Sequence, residues 1–491
     1  MTTKKRLERV APRASILIES MRDIGYSLPM ALADVIDNSV TACASKVDLL
    51  ADTQAENSMI GILDNGIGMS ASELLDAMRP GTRSPLDARS GEDLGRFGLG
   101  LKTASFSQCR RLVVLTRAGG ETNSAVWDLD LVAQAEDWVV EFGVDKSTIP
   151  WSERLGEHGT LVVWEKMDRL GSGKSRGRDL VSGLDEVSDH VELVFHRFLA
   201  GEPGLTKVKM TLNGRALESF DPFHTRHPAT VFGPEEVFRH DGQEIRIQSF
   251  TLPHHKKVTQ QDWDRYAGPE GYVNNQGFYV YRARRLIIHG TWFGLARQTE
   301  LTKLSRVRID LPNGMDLDWK VDVKKASAHP PAAVRERLKR LIKHIGEGSR
   351  RAYTSRGTRL VDGNRLPVWT RHQDKNRISY GLNPEHPVLN AFRASLDTTQ
   401  QRAFQRVVDL VVATLPIDTF FADSSANPQG VSTGSMDDES FRDLVESAYC
   451  ALRSGGQSPE TVELMLSAAE PYRSNWEEAK RIIENLSKEG V

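Results

Sequence analysis

LADVIDNSVTA (residues 32–42) sets polar side chains at helical spacing within an otherwise apolar segment. Asp34, Asn38 and Thr41 recur at intervals of four and three residues, so they share one face of a helix predicted over residues 28–44. A solvated polar stripe is the ordinary explanation of such a pattern. A carboxylate one turn before an amide also suits a metal–phosphate site. The amide oxygen is a hard ligand for Mg²⁺, and the carboxylate can orient or deprotonate a water molecule.

LDNGIGMS (residues 63–70) follows two segments that the pattern predicts as short strands, KVDLLAD and SMIGILD. Asp64 ends the second strand, and the chain then turns on Gly66 and Gly68, which allow a ligand to approach the backbone closely. An aspartate held there can accept a hydrogen bond from an exocyclic amine such as N6 of adenine. An ordinary Asp-x-Gly turn has the same sequence, so this stretch alone leaves both interpretations open.

GRFGLGLKTAS (residues 95–105) places Gly95, Gly98 and Gly100 before a predicted helix. The N-terminal amides and the positive dipole end of a helix suit a phosphate group, and Lys102 adds a charge. No βαβ unit surrounds these glycines, so they do not match the dinucleotide-binding fingerprint.

With HGTLVVWEKM (residues 158–167), these stretches match one family in their order and spacing. Residues 28–165 resemble the GHKL ATPase domain, which is shared by gyrase-type topoisomerases, the ninety-kilodalton chaperone, sensor histidine kinases and MutL. The four stretches look like its N-box, adenine-aspartate box, glycine box and last box. The resemblance implies an α/β (α+β) fold, the two-layer α/β sandwich known as the Bergerat fold. The order of helices and strands also favours helices packed on one face of a mixed sheet.

The resemblance assigns a role to each box. Asn38 would hold Mg²⁺, Asp64 would read adenine, Thr160 would support that contact through water, and residues 79–100 would form a lid over the phosphates of ATP. The nucleotide-binding residues that it implies are Asn38, Asp64, Gly66, Gly68, Met69, Gly95, Gly98, Leu99, Gly100, Leu101, Lys102 and Thr160.

Asp34 departs from the family pattern, because the general base at this position is usually glutamate. Its side chain is one methylene shorter, and a misplacement near 1 Å can lower a rate by about a hundredfold. The sequence therefore predicts ATP binding with slow hydrolysis, with Asp34 as the catalytic base. Asp37 is interpreted as a residue of the helix surface or as a neighbour that supports the site.

QGFYVYRARRLI (276–287) and LDWKVDVKKASAHPP (317–331) are similar to the transducer domain of MORC and MutL-like proteins. In that group a lysine of the second domain reaches the γ-phosphate of ATP. Lys325 or Lys324 is the candidate here, and two solvated surface lysines are the alternative.

Chain length and charge predict several domains with separate tasks. The 491 residues are divided into a GHKL ATP-binding domain (1–185), a transducer-like α/β domain (186–360) and a mostly helical C-terminal region (361–491). The net charge is only −2, but residues 331–360 hold nine Lys/Arg against two acids, whereas residues from 394 onward hold sixteen acids against eight basic residues. A basic middle and an acidic tail suggest different partners.

Composition argues against a membrane protein or a disulfide scaffold. No apolar run approaches the roughly 20 residues that span a bilayer, and the N-terminus lacks the apolar core of a signal peptide. The cysteines Cys43, Cys109 and Cys450 lie far apart in sequence, so we expect a reducing, cytoplasmic location. The absence of long apolar runs predicts that the chain has no membrane partner.

The sequence thus predicts an ATPase of the MORC/MutL-like type that works as a conformational clamp. ATP closes the lid, the N-terminal domains form a homodimer, and the clamp acts on DNA with proteins of a restriction, repair or phage-defence system. The alternative is a nucleotide-locked scaffold or chaperone-like switch that acts on proteins without binding DNA. A histidine kinase is excluded, since no histidine precedes Asp34 to accept a phosphoryl group.

Overall fold

The computed structural model of this chain describes residues 12–53, 58–81, 100–169, 176–315, 318–320, 329–358, 368–374, 377–384, 386–417, 419–420 and 436–488. The chain divides into two compact units, Met1–Lys343 and His344–Val491. The domain boundaries at residues 185 and 360 stay predictions.

The first unit contains an eight-stranded mixed sheet. Its strands are β1 (Lys46–Asp52), β2 (Met59–Asp64), β3 (Arg111–Ala118), β4 (Glu121–Asp128), β5 (Glu141–Phe142), β6 (Gly159–Glu165), β7 (Lys209–Leu212) and β8 (Arg215–Ala216). They lie in the order β5-β4-β3-β6-β2-β1-β7-β8, and all neighbours are antiparallel except β1 and β7. The predicted strands KVDLLAD and SMIGILD are confirmed as β1 and β2.

Helices cover one face of this sheet, as the sequence predicted. They are α1 (Ala14–Arg22), α2 (Leu28–Thr41), α3 (Ala71–Met78), α4 (Gly100–Phe106), α5 (Leu129–Ala135), α6 (Arg176–Val194) and α7 (His196–Ala200). Successive strand residues point to opposite faces, so Leu112 and Val114 join the helices in one core. Val113 and Leu115 pack on the opposite face under Ile149 and the loop around it.

A second sheet of five strands follows in the same unit. Its strands are β9 (Val231–His240), β10 (Gln243–Thr251), β11 (Gly277–Arg282), β12 (Arg285–Thr291) and β13 (Ser305–Leu311), in the order β12-β11-β13-β10-β9. The helices α8 (Gln260–Ala267) and α9 (Gly271–Asn274) connect β10 to β11. Ala283 and Arg284 link β11 to β12 with φ of 45° and 69°, which makes a tight hairpin of the kind whose two central residues both have positive φ. Helix α10 (Ala332–Thr358) contains most of the basic stretch at residues 331–360.

The second unit is mostly helical. A hairpin of β14 (Trp369–Asp374) and β15 (Arg377–Leu382) precedes α11 (Pro387–Ser395), α12 (Thr398–Ala413), α13 (Asp438–Ser454), α14 (Pro459–Ala468) and α15 (Trp476–Lys488). Its core is formed chiefly by α13, α14 and α15, around the buried Tyr449 and Tyr472.

Candidate functional site

Helix α2 carries the first group of candidate residues. It begins after Ser27, whose hydroxyl accepts a hydrogen bond from the Met30 N–H, and Pro29 occupies its first turn. Asp34 is buried, whereas Asn38 one turn later is exposed. The Asn38 amide nitrogen donates to the Asp34 carbonyl at 3.3 Å, while its amide oxygen accepts no hydrogen bond from any residue that the structure describes. The side chain thus keeps an oxygen available for a cation.

Asp64 at the end of β2 lies in a cradle of donors from three segments. Its Oδ1 accepts from the N–H of Gly66 at 2.9 Å and of Thr160 at 3.2 Å, and its Oδ2 accepts from the Ser39 hydroxyl at 2.8 Å. Burial raises the pKa of the Asp64 carboxyl above its ordinary value, although these hydrogen bonds act in the opposite direction. Asp64 and Thr160 are brought together as the sequence predicted. Ser39 was missed, because a serine among helix residues carries no distinguishing signal.

The glycine turn after Asp64 needs its glycines for steric reasons. A Cβ on Gly66 would lie 2.7 Å from the Ala42 carbonyl oxygen, and one on Gly68, where φ is +70°, would lie 2.0 Å from the carbonyl oxygen of Arg117. The Met69 N–H beyond the turn donates to the Thr116 hydroxyl at 2.9 Å.

Thr116 and His158, which the sequence did not single out, fix the glycine turn against the sheet. The hydroxyls of Thr116 and Thr160 lie 3.1 Å apart, and the His158 ring shares a hydrogen bond of 2.8 Å with the Gly66 carbonyl. The predicted adenine-reading residues therefore form one connected polar network.

The glycine box is described only from Gly100 onward. Gly95, Gly98 and Leu99, with most of the predicted lid, lie outside the described residues. Gly100 and Leu101 begin helix α4 and are half-buried.

Lys102 lies at the base of the predicted lid. Its ammonium donates to the carbonyls of Ala77 at 2.8 Å and Arg79 at 3.1 Å, at the end of helix α3. Burial lowers the pKa of Lys102 to about 8. Its predicted contact with a phosphate stays a prediction, since here the ammonium is bound to backbone carbonyls.

Asp34 is held by groups that the sequence analysis did not identify. The Tyr26 hydroxyl donates to Asp34 Oδ2 at 2.8 Å, and Arg285 Nη2 lies 3.7 Å from Asp34 Oδ1. Arg285 Nε donates to Asp37 Oδ1 at 3.0 Å. Asp37 is only 1% exposed, so its interpretation as a helix-surface residue was wrong. Residues 37 and 285 are 248 positions apart, and no local pattern indicates such a pair.

Neither the candidate γ-phosphate lysines nor a cluster of metal-ligating side chains is found among the residues that the structure describes. Lys324 and Lys325 lie outside the described residues, so the residue that senses the γ-phosphate stays a prediction. Within the described ranges, no three His, Cys, Asp or Glu side chains cluster as a metal site, and no helix there is long and apolar enough to cross a bilayer.

Comparison with known proteins identifies the same region. Residues 26–158 match the family described as histidine kinase-, DNA gyrase B-, and HSP90-like ATPase. The chain is 37% identical over 94 residues to the chaperone protein HtpG of Roseobacter denitrificans, covering 17% of this chain and 15% of that protein. It is 30% identical over 90 residues to the ATPase MORC2B of Mus musculus, covering 18% of this chain and 9% of that protein.

A longer alignment joins the chain to the chaperone protein HtpG of an Enterobacter species, with 24% identity over 188 residues. It covers 29% of this chain and 30% of that protein. Each of these relatives is thus matched over less than a third of its own length. The family match at residues 26–158 contains α2, Asp64 and the glycine turn, whereas Thr160 lies just beyond it.

Proposed function

We infer from the histidine kinase-, DNA gyrase B- and HSP90-like ATPase domain at residues 26–158 that this chain binds ATP. One observation carries the proposal: Asp64 is held at a strand end by donors from Ser39, Gly66 and Thr160. A buried carboxylate fixed in this way can accept a hydrogen bond from the adenine amine, and a rigid acceptor loses little entropy on binding. The glycines beside it allow the nucleotide to approach.

Mg²⁺ would be held by Asn38. Its side chain is exposed one turn from Asp34, and an amide oxygen is a ligand that Mg²⁺ accepts together with water and phosphate oxygens. The bound cation would neutralise charge on the phosphates of ATP.

Hydrolysis would use Asp34 as the proton acceptor for the attacking water. The carboxylate is only 4% exposed and already accepts a hydrogen bond from Tyr26, so access to water is restricted. Together with the short aspartate side chain, this supports slow turnover.

The whole chain would act as a MORC/MutL-like clamp. ATP would close residues 79–100 over the site and bring two copies together, and Lys324 or Lys325 would report whether the γ-phosphate is intact. The basic helix α10 supports DNA as the substrate, with partner proteins from a restriction, repair or phage-defence system. The scattered free cysteines support a cytoplasmic location.

A chaperone-like switch that acts on proteins without DNA is the second candidate. Two of the relatives named above are chaperone proteins. The enclosed Asp34 also suits a nucleotide-locked scaffold that binds ATP and hardly hydrolyses it.

Calorimetric titration and light scattering of the full chain test the proposal. ATP should bind in the presence of Mg²⁺, and a non-hydrolysable ATP analogue should double the scattering mass. Absence of binding would reject the proposal. Binding without a change of mass would reject the clamp and leave the ATP site.

A further inference from the structure

Arg285 begins strand β12 directly after the tight hairpin turn and is almost fully buried, at 5% exposure. Its guanidinium uses three nitrogens. Nε donates to Asp37 at 3.0 Å, Nη2 faces Asp34 at 3.7 Å, and Nη1 donates to the carbonyl of Leu286 at 3.1 Å. The group also lies 5.7 Å from the Phe195 ring centroid. One side chain of the second sheet thus contacts two carboxylates of helix α2.

Two carboxylates buried one turn apart on a helix require a compensating charge. Removing water from a charged group is costly, and the cost is offset only by a close opposite charge and satisfied hydrogen bonds. Arg285 supplies the charge and Tyr26 supplies a hydroxyl to Asp34. These contacts hold the Asp34 carboxylate in one orientation.

We propose that Arg285 is a positioning residue for hydrolysis, through which the second sheet sets the geometry of the Asp34 carboxylate. The proposal rests on the proposed function, since it takes Asp34 as the proton acceptor. Arg285 is fixed to its own strand through the Leu286 carbonyl, so a movement of the β11–β12 hairpin would move the guanidinium and with it the carboxylates. The second sheet would thereby control turnover rather than ATP affinity.

The test compares Arg285→Gln and Arg285→Lys with the control Arg284→Gln. Arg284 is the preceding residue of the same hairpin, but its side chain is 44% exposed and its guanidinium lies 3.5 Å from Glu202. For each full-length variant, calorimetry measures the ATP dissociation constant, and single turnover of bound radiolabelled ATP measures the hydrolysis rate. Both are measured well below the melting temperature of the variant.

We expect Arg285→Gln to slow hydrolysis by roughly ten- to a hundredfold, the range that a misplacement near 1 Å produces. The dissociation constant should stay within about threefold, because the adenine cradle is elsewhere. Arg285→Lys keeps the charge but not the planar fork, so its rate should lie between those of Arg285→Gln and the wild type. Arg284→Gln should match the wild type.

The remaining outcomes separate this inference from the proposed function. Equal hydrolysis rates in Arg285→Gln and Arg284→Gln would overturn the inference alone. Faster hydrolysis in Arg285→Gln would overturn it as well, because the contact would then restrain the base rather than position it. Loss of ATP binding in Arg285→Gln and Arg285→Lys alike would make the residue part of the binding site and also reject the inference. A wild type that binds no ATP would reject both proposals. A wild type that binds ATP and never hydrolyses it would reject the inference and leave the binding site.

Discussion

Asp64 and Thr160 are directly paired residues on the neighbouring strands β2 and β6, and the Thr160 N–H also donates to the Asp64 side chain at 3.2 Å. Sheet register therefore fixes an aspartate from one sequence box against a threonine from another, 96 residues away. Because β2 lies inside the eight-stranded sheet, the Asp64 carboxylate stands on a rigid support.

We predict that Asp64→Asn removes ATP binding without unfolding the protein. Asparagine has nearly the same shape, and its oxygen can still accept from Gly66 and Thr160. It would, however, present an N–H₂ group where a carboxylate accepts from the adenine amine. The loss should be at least about 1.5–3 kcal/mol, the value of a hydrogen bond to a charged group. Calorimetry measures it, with Asp48→Asn on the adjacent strand β1 as the control. Wild-type affinity in Asp64→Asn would reject the adenine assignment.

Lys102 provides a prediction about pH. Burial lowers its pKa from 10.5 to about 8, so between these values the unfolded chain holds a proton that the folded chain has lost. Stability must then rise with pH across that window. Lys102→Met lacks this dependence. Its free energy of unfolding, relative to wild type, should fall on the order of 3 kcal/mol between pH 7 and 10.5.

Denaturant unfolding at several pH values measures this difference. Lys46→Met, at an exposed lysine on β1, is the control for the loss of a lysine, and its own pH trend is subtracted. If the difference in unfolding free energy between Lys102→Met and the wild type stays constant from pH 7 to 10.5, the lowered pKa of the buried Lys102 is contradicted.

Local sequence patterns were sufficient to predict the elements that local interactions stabilise. Ser70 and Glu73 form a capping box at the start of α3, a motif that four residues of sequence suffice to indicate. Asp64 and Thr160 meet because strand pairing follows from apolar alternation. Contacts made by tertiary packing were not predictable. The pattern marked Asp37 as polar on a helix, but its burial depends on Arg285 arriving from a different sheet. Charged residues are almost never fully buried unless they are paired with an opposite charge. Without knowledge of the partner, the sequence therefore favours a surface position for Asp37.

Asp34→Asn should leave ATP binding intact and stop hydrolysis. A positioned general base contributes about 10²–10⁴-fold to a rate, so turnover should fall by at least about a hundredfold. Phosphate release under steady-state conditions measures it, and unchanged release would assign the base to another residue. Asp34→Glu is the companion variant. Faster turnover would show that the native carboxylate sits short of the water, and slower turnover would show that Tyr26 and Arg285 fit the shorter chain.

Arg285 and Asp37 should be coupled in stability. Arg285→Gln leaves buried carboxylates without their cation, which costs about 3–5 kcal/mol. Asp37→Asn removes one of these charges, so the double variant should be more stable than Arg285→Gln alone. We expect a coupling energy of at least about 1 kcal/mol in a double-mutant cycle read by denaturant unfolding. Additive losses would mean that the two groups act independently.

DNA binding is the most demanding prediction of the clamp proposal. Arg335, Lys339 and Lys343 are exposed at four-residue intervals on α10, so they form one basic stripe. The Lys339 ammonium also donates to Glu336 at 2.8 Å, but this ion pair is exposed on both sides and leaves the ammonium accessible. Arg337 on the same helix is excluded from this stripe, because it bonds Glu236 at 2.9 Å and lies 4.8 Å from the Phe238 ring centroid. A solvated helix face is the ordinary alternative.

Replacing Arg335, Lys339 and Lys343 by Glu should weaken binding to every duplex alike. Each neutralised phosphate contributes about 0.9 to the slope of log K against log salt, so loss of three contacts should flatten that slope by about 2.7. The control replaces the exposed Arg402, Arg406 and Arg442 by Glu, which changes the total charge equally within the acidic C-terminal region.

Fluorescence anisotropy at several salt concentrations, with and without a non-hydrolysable ATP analogue, measures both affinity and slope. ATP binding should persist in both triple variants, because the Asp64 cradle contains none of the replaced residues. If the α10 variant and the control weaken binding equally, the effect is one of total charge and the stripe is only a solvated surface. If the wild type binds no duplex in either nucleotide state, the DNA clamp is rejected. The ATP-driven change of shape would then have to act on a protein partner.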